Sequence, residues 1–106
     1  MGVSDAKVDA IWQFHSSPLY SPAERIALEV AIAAGGVPNG VTDEMFEELK
    51  RHWDEEQIVE IIGVIALFGF LNRWNDTMAS PLEPDSIGVA EQLLAPHGWE
   101  IGKNAP

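Results

Sequence analysis

The chain has 106 residues, 46% of them hydrophobic, with 17 Asp and Glu against 6 Lys and Arg, a formal net charge of -11, and no cysteine. That length suits one domain with a modest core, and the apolar content is too high for a disordered acidic chain. The charge disfavours nucleic acid and anionic membranes as partners, and the missing cysteines exclude disulfide staples, thiolate metal sites and thiol–disulfide exchange within these residues.

Met1 to Asp9 is polar, with one lysine and no apolar run, so no secretory leader is expected. A first helix is expected over Asp5 to Phe14, with Val8, Ile11 and Trp12 apolar, ending near Ser16-Ser17-Pro18. The second has a clear start: Ser21 caps, Pro22 takes the first helical position, and Glu24 completes a capping box. It runs through Ile26, Leu28, Val30 and Ile32 to Ala34, where Gly35-Gly36 stops it.

Residues 37–41 read as a loop, and Gly35 to Gly40 lacks the ending of a phosphate-binding loop. Thr42 then caps a short helix in which Asp43 and Glu44 favour the positive end, and Met45, Phe46 and Leu49 form a face with Trp53. Asp54-Glu55-Glu56-Gln57 is a second capping box and opens the longest helix, about Glu55 to Met78. Val59, Ile62, Ile65, Ala66 and Phe70 supply one face of it, yet Ile58, Ile61, Val64, Leu67, Phe68 and Leu71 are apolar too. A helix apolar nearly all round calls for burial on several sides, and four short helices cannot cover it. Self-association into a symmetric dimer or larger ring is therefore expected. Its continuous apolar stretch, Ile58 to Leu71, carries Glu60 and two glycines and is too short to span a bilayer. A last helix is expected over Pro84 to Leu94, with Trp99 and Ile101 anchoring the tail. The expectation is an all-α domain over residues 1–106, without a strand, in the cytoplasm.

Several segments carry a family likeness. Ser17-Pro18-Leu19-Tyr20-Ser21-Pro22-Ala23-Glu24-Arg25, then Val41 to Glu44 and Asp54 to Glu60, and above all Ile65 to Thr77, resemble the carboxymuconolactone decarboxylase-like, or alkylhydroperoxidase-D-like, superfamily. His97-Gly98-Trp99 with Gly102-Lys103 is similar to the tail of one subgroup. The resemblance covers nearly the whole chain but only the family's C-terminal portion. It implies a compact helical half-domain of about five helices, completed by self-association as dimers, trimers or hexamers. Peroxidase-like relatives carry Cys-x-x-Cys followed by a histidine on a preceding helix, which nothing here matches, so a cysteine-bearing partner chain is one expectation. Decarboxylase members use a histidine-containing acid–base site, whose residues this chain does not match either.

The polar residues admit a structural and a chemical account each. Asn72, Asn75 and Asp76 share one side of the long helix, while Arg73 and Thr77 share another. They fit a network fixing helix packing, or a ligand-binding set of Asn72, Arg73, Asn75 and Asp76. His15, His52 and His97 have no zinc-site spacing, so neither metal nor other cofactor is expected. His52 suits a helix C-terminus and His97 a loop. His15 carries a proton if assembly places it near Glu29 or Glu60, two carboxylates that interrupt apolar helical neighbourhoods. Trp12, Trp53, Trp74 and Trp99 are read as core or interface anchors. Two functions follow: a non-redox, self-associating structural or binding module, or a small cofactor-free acid–base enzyme acting on a carbonyl compound through His15, Glu29 and Glu60.

Overall fold

The structure, a computed structural model, describes residues 3–105. Met1 and Gly2, where the expectation of a leaderless start begins, lie outside the described residues. The described residues are helical, without a strand, and group into two compact units. One unit takes the residues up to Trp12 together with those from Leu71 onward, and the other is Gln13–Phe70.

In the Gln13–Phe70 unit, α2 (Pro22–Ala34) begins at a reciprocal box. Glu24 N–H donates to Ser21 Oγ at 3.1 Å, and Ser21 N–H donates to Glu24 Oε1 at 3.0 Å. Its end is closed by the Ala33 carbonyl, which accepts from the amides of Gly36 and Gly40. Thr42 caps α3 (Asp43–His52) by accepting the Met45 amide. Asp54 and Gln57 exchange side-chain and backbone bonds of 2.8 and 3.0 Å to open α4 (Glu55–Met78). All three helices start where local cap chemistry places them.

The core of this unit is Ile26 and Val30 of α2, the fully buried Leu49 of α3, and Ile58 of α4. Ile61, Ile65, Phe46 and Trp53 pack around it. Trp53 Nε1–H donates to the Ala23 carbonyl at 3.0 Å, tying the end of α3 to the start of α2. The packed face of α4 is thus Ile58, Ile61 and Ile65. Of the face expected from sequence, only Ile65 is packed; Val59, Ile62, Ala66 and Phe70 are exposed. Period 3.6 alone does not rank the sides of a helix that is apolar at every angle, and the position of Leu49 decides which side is covered.

In the other unit, α1 (Asp5–Asp9) is capped by Ser4 and passes into a 3-10 turn over Ala10–Gln13. The single helix expected through Phe14 is therefore shorter and wound tighter at its end, leaving the Gln13 carbonyl to accept from Ser16 and Ser17. The α5 helix (Pro84–Leu93) packs on α1 and ends in a short turn over Ala95–His97, after which Gly98 takes φ 98°, a left-handed angle that suits glycine. The last turns of α4 end in a Schellman arrangement. Ser80 N–H donates to Asn75 O at 3.0 Å, Ala79 N–H to Asp76 O at 3.4 Å, and Ala79 itself sits at φ 52°.

Candidate functional site

The segment between the 3-10 turn and α2 carries His15, and a single cation fixes its shape. Arg25, half-buried on the first turn of α2, donates from Nε to Phe14 O at 3.1 Å and from Nη2 to Ser17 O at 2.7 Å. Ser17 in turn accepts the Leu19 amide on Oγ and the Tyr20 amide on its carbonyl. Phe14 and Tyr20 are buried and plug the loop from inside. The His15 ring leans on Phe14, centroids 4.0 Å apart and planes 32° from parallel.

Held in this way, His15 Nδ1 lies 3.0 Å from Glu29 Oε1, with side chains 63% and 36% exposed. The contact expected to depend on assembly forms within one chain. A carboxylate on Nδ1 fixes the orientation of the ring. The pair stands largely in water, which limits the strength of that chemistry.

Glu60 stands apart from it. Among the described residues it makes no hydrogen bond or ion pair. It lines a shallow apolar groove of about 460 Å³ whose walls include Ala27, Ala31, Trp53, Ile61 and Val64. A second groove of about 620 Å³ lies between α3 and α4, over Phe46, Trp53, Ile58 and Ile62, with Lys50 and Asp54 on its rim. Trp53 lines both.

Asn72, Arg73, Asn75 and Asp76 lie exposed on the last two turns of α4. Asp76 faces Lys103 at 3.6 Å. That stretch is therefore solvent-facing rather than part of a buried network within the described residues. His52 bonds Glu48 at 3.1 Å on the last turn of α3. Glu48 also pairs with Arg51, and those two hydrogen bonds, Arg51 first, hold its carboxyl below the ordinary carboxylate range. Of the tryptophans, Trp53 and Trp99 are half-buried, whereas Trp12 and Trp74 are exposed.

Two arrangements escape sequence reasoning. Arg25 reaches carbonyls 8 and 11 residues back, and its only sequence signal is a cation between Ala23 and Ile26 at the start of an apolar helix. His97 Nε2 lies 3.0 Å from Asp9 Oδ1 across 88 residues, and its ring sits 5.4 Å from that of Trp12. Among the described residues no group of three or more His, Asp or Glu side chains converges as metal ligands.

No family model matches the sequence. The chain is 37% identical over 82 residues to the uncharacterized protein YnjA of Escherichia coli K12, covering 77% of this chain and 44% of that one. It is 30% identical over 76 residues to the uncharacterized protein YdfG of Bacillus subtilis 168, covering 71% and 50%. Among solved structures it is similar to the debrominase Bmp8, as the apo protein (TM-score 0.80) and as a cysteine-to-alanine variant in complex with 2,3,4-tribromopyrrole (TM-score 0.81). Both match at 39% identity over 88% of this chain and 50% of that one. The chain thus spans about half the length of the proteins it matches. Among the described residues the architecture is all-α, with five α-helices, and matches the alkylhydroperoxidase-D-like fold.

Proposed function

We propose that these residues form a non-redox, self-associating helical module of the carboxymuconolactone decarboxylase-like, alkylhydroperoxidase-D-like group, with a structural or binding role. The observation that carries this is the outward side of α4 within the Gln13–Phe70 unit, where Val59, Val64, Leu67 and Phe68 are all exposed. Monomeric proteins rarely leave a contiguous apolar patch of this kind uncovered. A second copy, or a cysteine-bearing partner chain, is the cover proposed here. Bmp8 is a debrominase crystallised as a cysteine variant, while the part of its fold found in this chain supplies no thiol. Any thiol step in such an assembly comes from elsewhere.

A bilayer is the competing cover, since α4 is long and apolar enough by length and composition to cross one. Three features favour protein. Ile58, Ile61 and Ile65 already pack into a bundle, and Glu55, Glu56 and Glu60 stud the first turns. The apolar stretch from Ile58 to Leu71, which itself carries Glu60, rises only about 21 Å against a hydrocarbon core of about 30 Å. A cytoplasmic setting, without nucleic acid or membrane, belongs to the same proposal.

Light scattering on dilute protein tests it: a dimer or larger species at micromolar concentration is expected, and a stable monomer refutes it. The His15–Glu29 contact favours a second reading, a cofactor-free acid–base enzyme. There His15 moves the proton, Glu29 orients it, Glu60 is a further carboxylate, and Asn72, Arg73, Asn75 and Asp76 form a separate ligand-facing set. Loss of turnover of a carbonyl substrate in His15→Ala, with assembly intact, would select it over the purely structural role.

A further inference from the structure

We propose that the groove between α2 and α4 binds a small apolar ammonium ion, Glu60 taking the charged end and Ala27, Ala31, Trp53 and Ile61 the apolar body. The site lies wholly within the Gln13–Phe70 unit. It goes beyond the assembly proposed above and does not depend on it.

Small residues open the groove. Along α4, Gln57, Glu60, Ile61, Val64 and Ile65 recur at helical spacing and line one strip. Across from it, α2 presents Ala27 and Ala31, one turn apart. Two side chains that stop at Cβ leave the space between the helices unfilled, and about 460 Å³ stays open. Small-molecule sites occupy roughly 300–1,000 Å³, so a compact ligand fits. Trp53 makes a fixed wall, because its Nε1–H donates to the Ala23 carbonyl at 3.0 Å.

Charge selects the occupant. Among the described residues lining the groove, Glu60 alone is charged, and among the described residues it has no hydrogen bond or ion pair. The three cations of the Gln13–Phe70 unit are all engaged elsewhere. Arg25 holds the Phe14 and Ser17 carbonyls, Lys50 pairs with Glu47, and Arg51 pairs with Glu48. Against those three stand ten carboxylates in the same unit, a field that draws cations and repels anions. Gln57, the other polar side chain of the strip, already spends its Oε1 on the Asp54 amide.

An ammonium group answers both features. Its N–H donors meet the Glu60 carboxylate in a charge-assisted bond. Its apolar substituent displaces water from Ala27, Ala31, Trp53 and Ile61. A neutral molecule of the same shape gains only the second contribution, and a carboxylate meets repulsion from Glu60.

Three probes separate these cases: 2-phenylethylammonium, 2-phenylethanol and 3-phenylpropanoate, each a ring on a short chain with a different charge. Each is titrated into the full chain, labelled with nitrogen-15, at neutral pH and constant ionic strength. The Trp53 indole N–H signal is identified by its loss in Trp53→Phe. The amine is expected to shift that signal and the Glu60 and Ile61 amides, with a Kd at least ~5-fold below that of the alcohol. The carboxylate should bind weakest. Glu60→Gln keeps the size of the side chain at an exposed position and should bring amine and alcohol within ~2-fold of each other. Ala31→Leu fills the groove and should weaken amine and alcohol at least ~5-fold while far-UV helicity holds. An alcohol that binds as tightly as the amine, or an amine advantage that survives Glu60→Gln, would overturn the assignment. So would shifts at Glu55 and Glu56 without Trp53, which mark counterions gathering on an acidic surface. Silence from Trp53 with all three probes would also overturn it and leave the groove to a protein partner.

Discussion

Replacing Arg25 by methionine keeps an apolar stem of similar length on α2 and deletes the guanidinium that holds the His15 loop. Two hydrogen bonds disappear, to Phe14 O at 3.1 Å and Ser17 O at 2.7 Å. Bonds from a charged donor contribute about 1.5–3 kcal/mol each, and a buried carbonyl left without a partner adds to the loss. Arg25 is only half-buried, so water can reach part of the vacated site. The expected cost is therefore at or below the bottom of the summed range, about 2–3 kcal/mol for the pair. For a domain of this size that lowers Tm by roughly 8–15 °C, measured at one protein concentration so that the proposed self-association does not enter the comparison. Amide exchange should rise at Leu19 and Tyr20, whose N–H groups bond Ser17. Arg25→Lys should fall between, keeping the charge but not the two-pronged geometry. A loss under ~0.5 kcal/mol with unchanged exchange at Leu19 and Tyr20 would refute the role assigned to this residue.

Glu48 makes stability depend on acid. Its folded carboxyl titrates below the unfolded one because Arg51, then His52, bond the ionised form. The contribution is therefore present above the unfolded Glu value of about 4.3 and is lost as pH falls through the lower folded value. Glu48→Gln should flatten the stability profile below about pH 4.3; profiles of the same slope for both proteins would contradict this. Ala79, at φ 52°, closes α4 in a conformation that costs an L-residue about 1 kcal/mol. Ala79→Gly should raise stability by about 0.5–1 kcal/mol in urea unfolding, and destabilisation would show that the methyl group is needed.

Cap chemistry was legible because it is local. Ser21 with Glu24, Thr42, and Asp54 with Gln57 announce three helix starts within four residues each, and α2, α3 and α4 begin there. The side α4 buries was not legible, since Ile58, Ile61, Val64, Leu67 and Phe68 are as apolar as Val59, Ile62 and Phe70. Only the place of α2 and α3 picks out Ile58, Ile61 and Ile65. At the candidate site, sequence named His15, Glu29 and Glu60 as residues to compare, and two of the three meet. Arg25 stayed hidden because its carbonyl partners are ordinary backbone of a turn, which no side-chain pattern marks.

The two functional readings are not independent, because an acid–base pair needs more than correct spacing. The His15 and Glu29 side chains are 63% and 36% exposed, and solvent-exposed pairs of this kind contribute only about 0–1 kcal/mol. Proton transfer to a weak carbon acid or carbonyl requires the stronger field of a site closed to solvent. These residues supply no such closure over His15. Any cover must come from outside these residues, and under the proposed self-association the exposed apolar side of α4 is the surface that would recruit it. Assembly is therefore the earlier requirement. Variants that dissolve the α4 contact should abolish any His15 chemistry along with the oligomer, whereas His15→Ala should leave the oligomer whole.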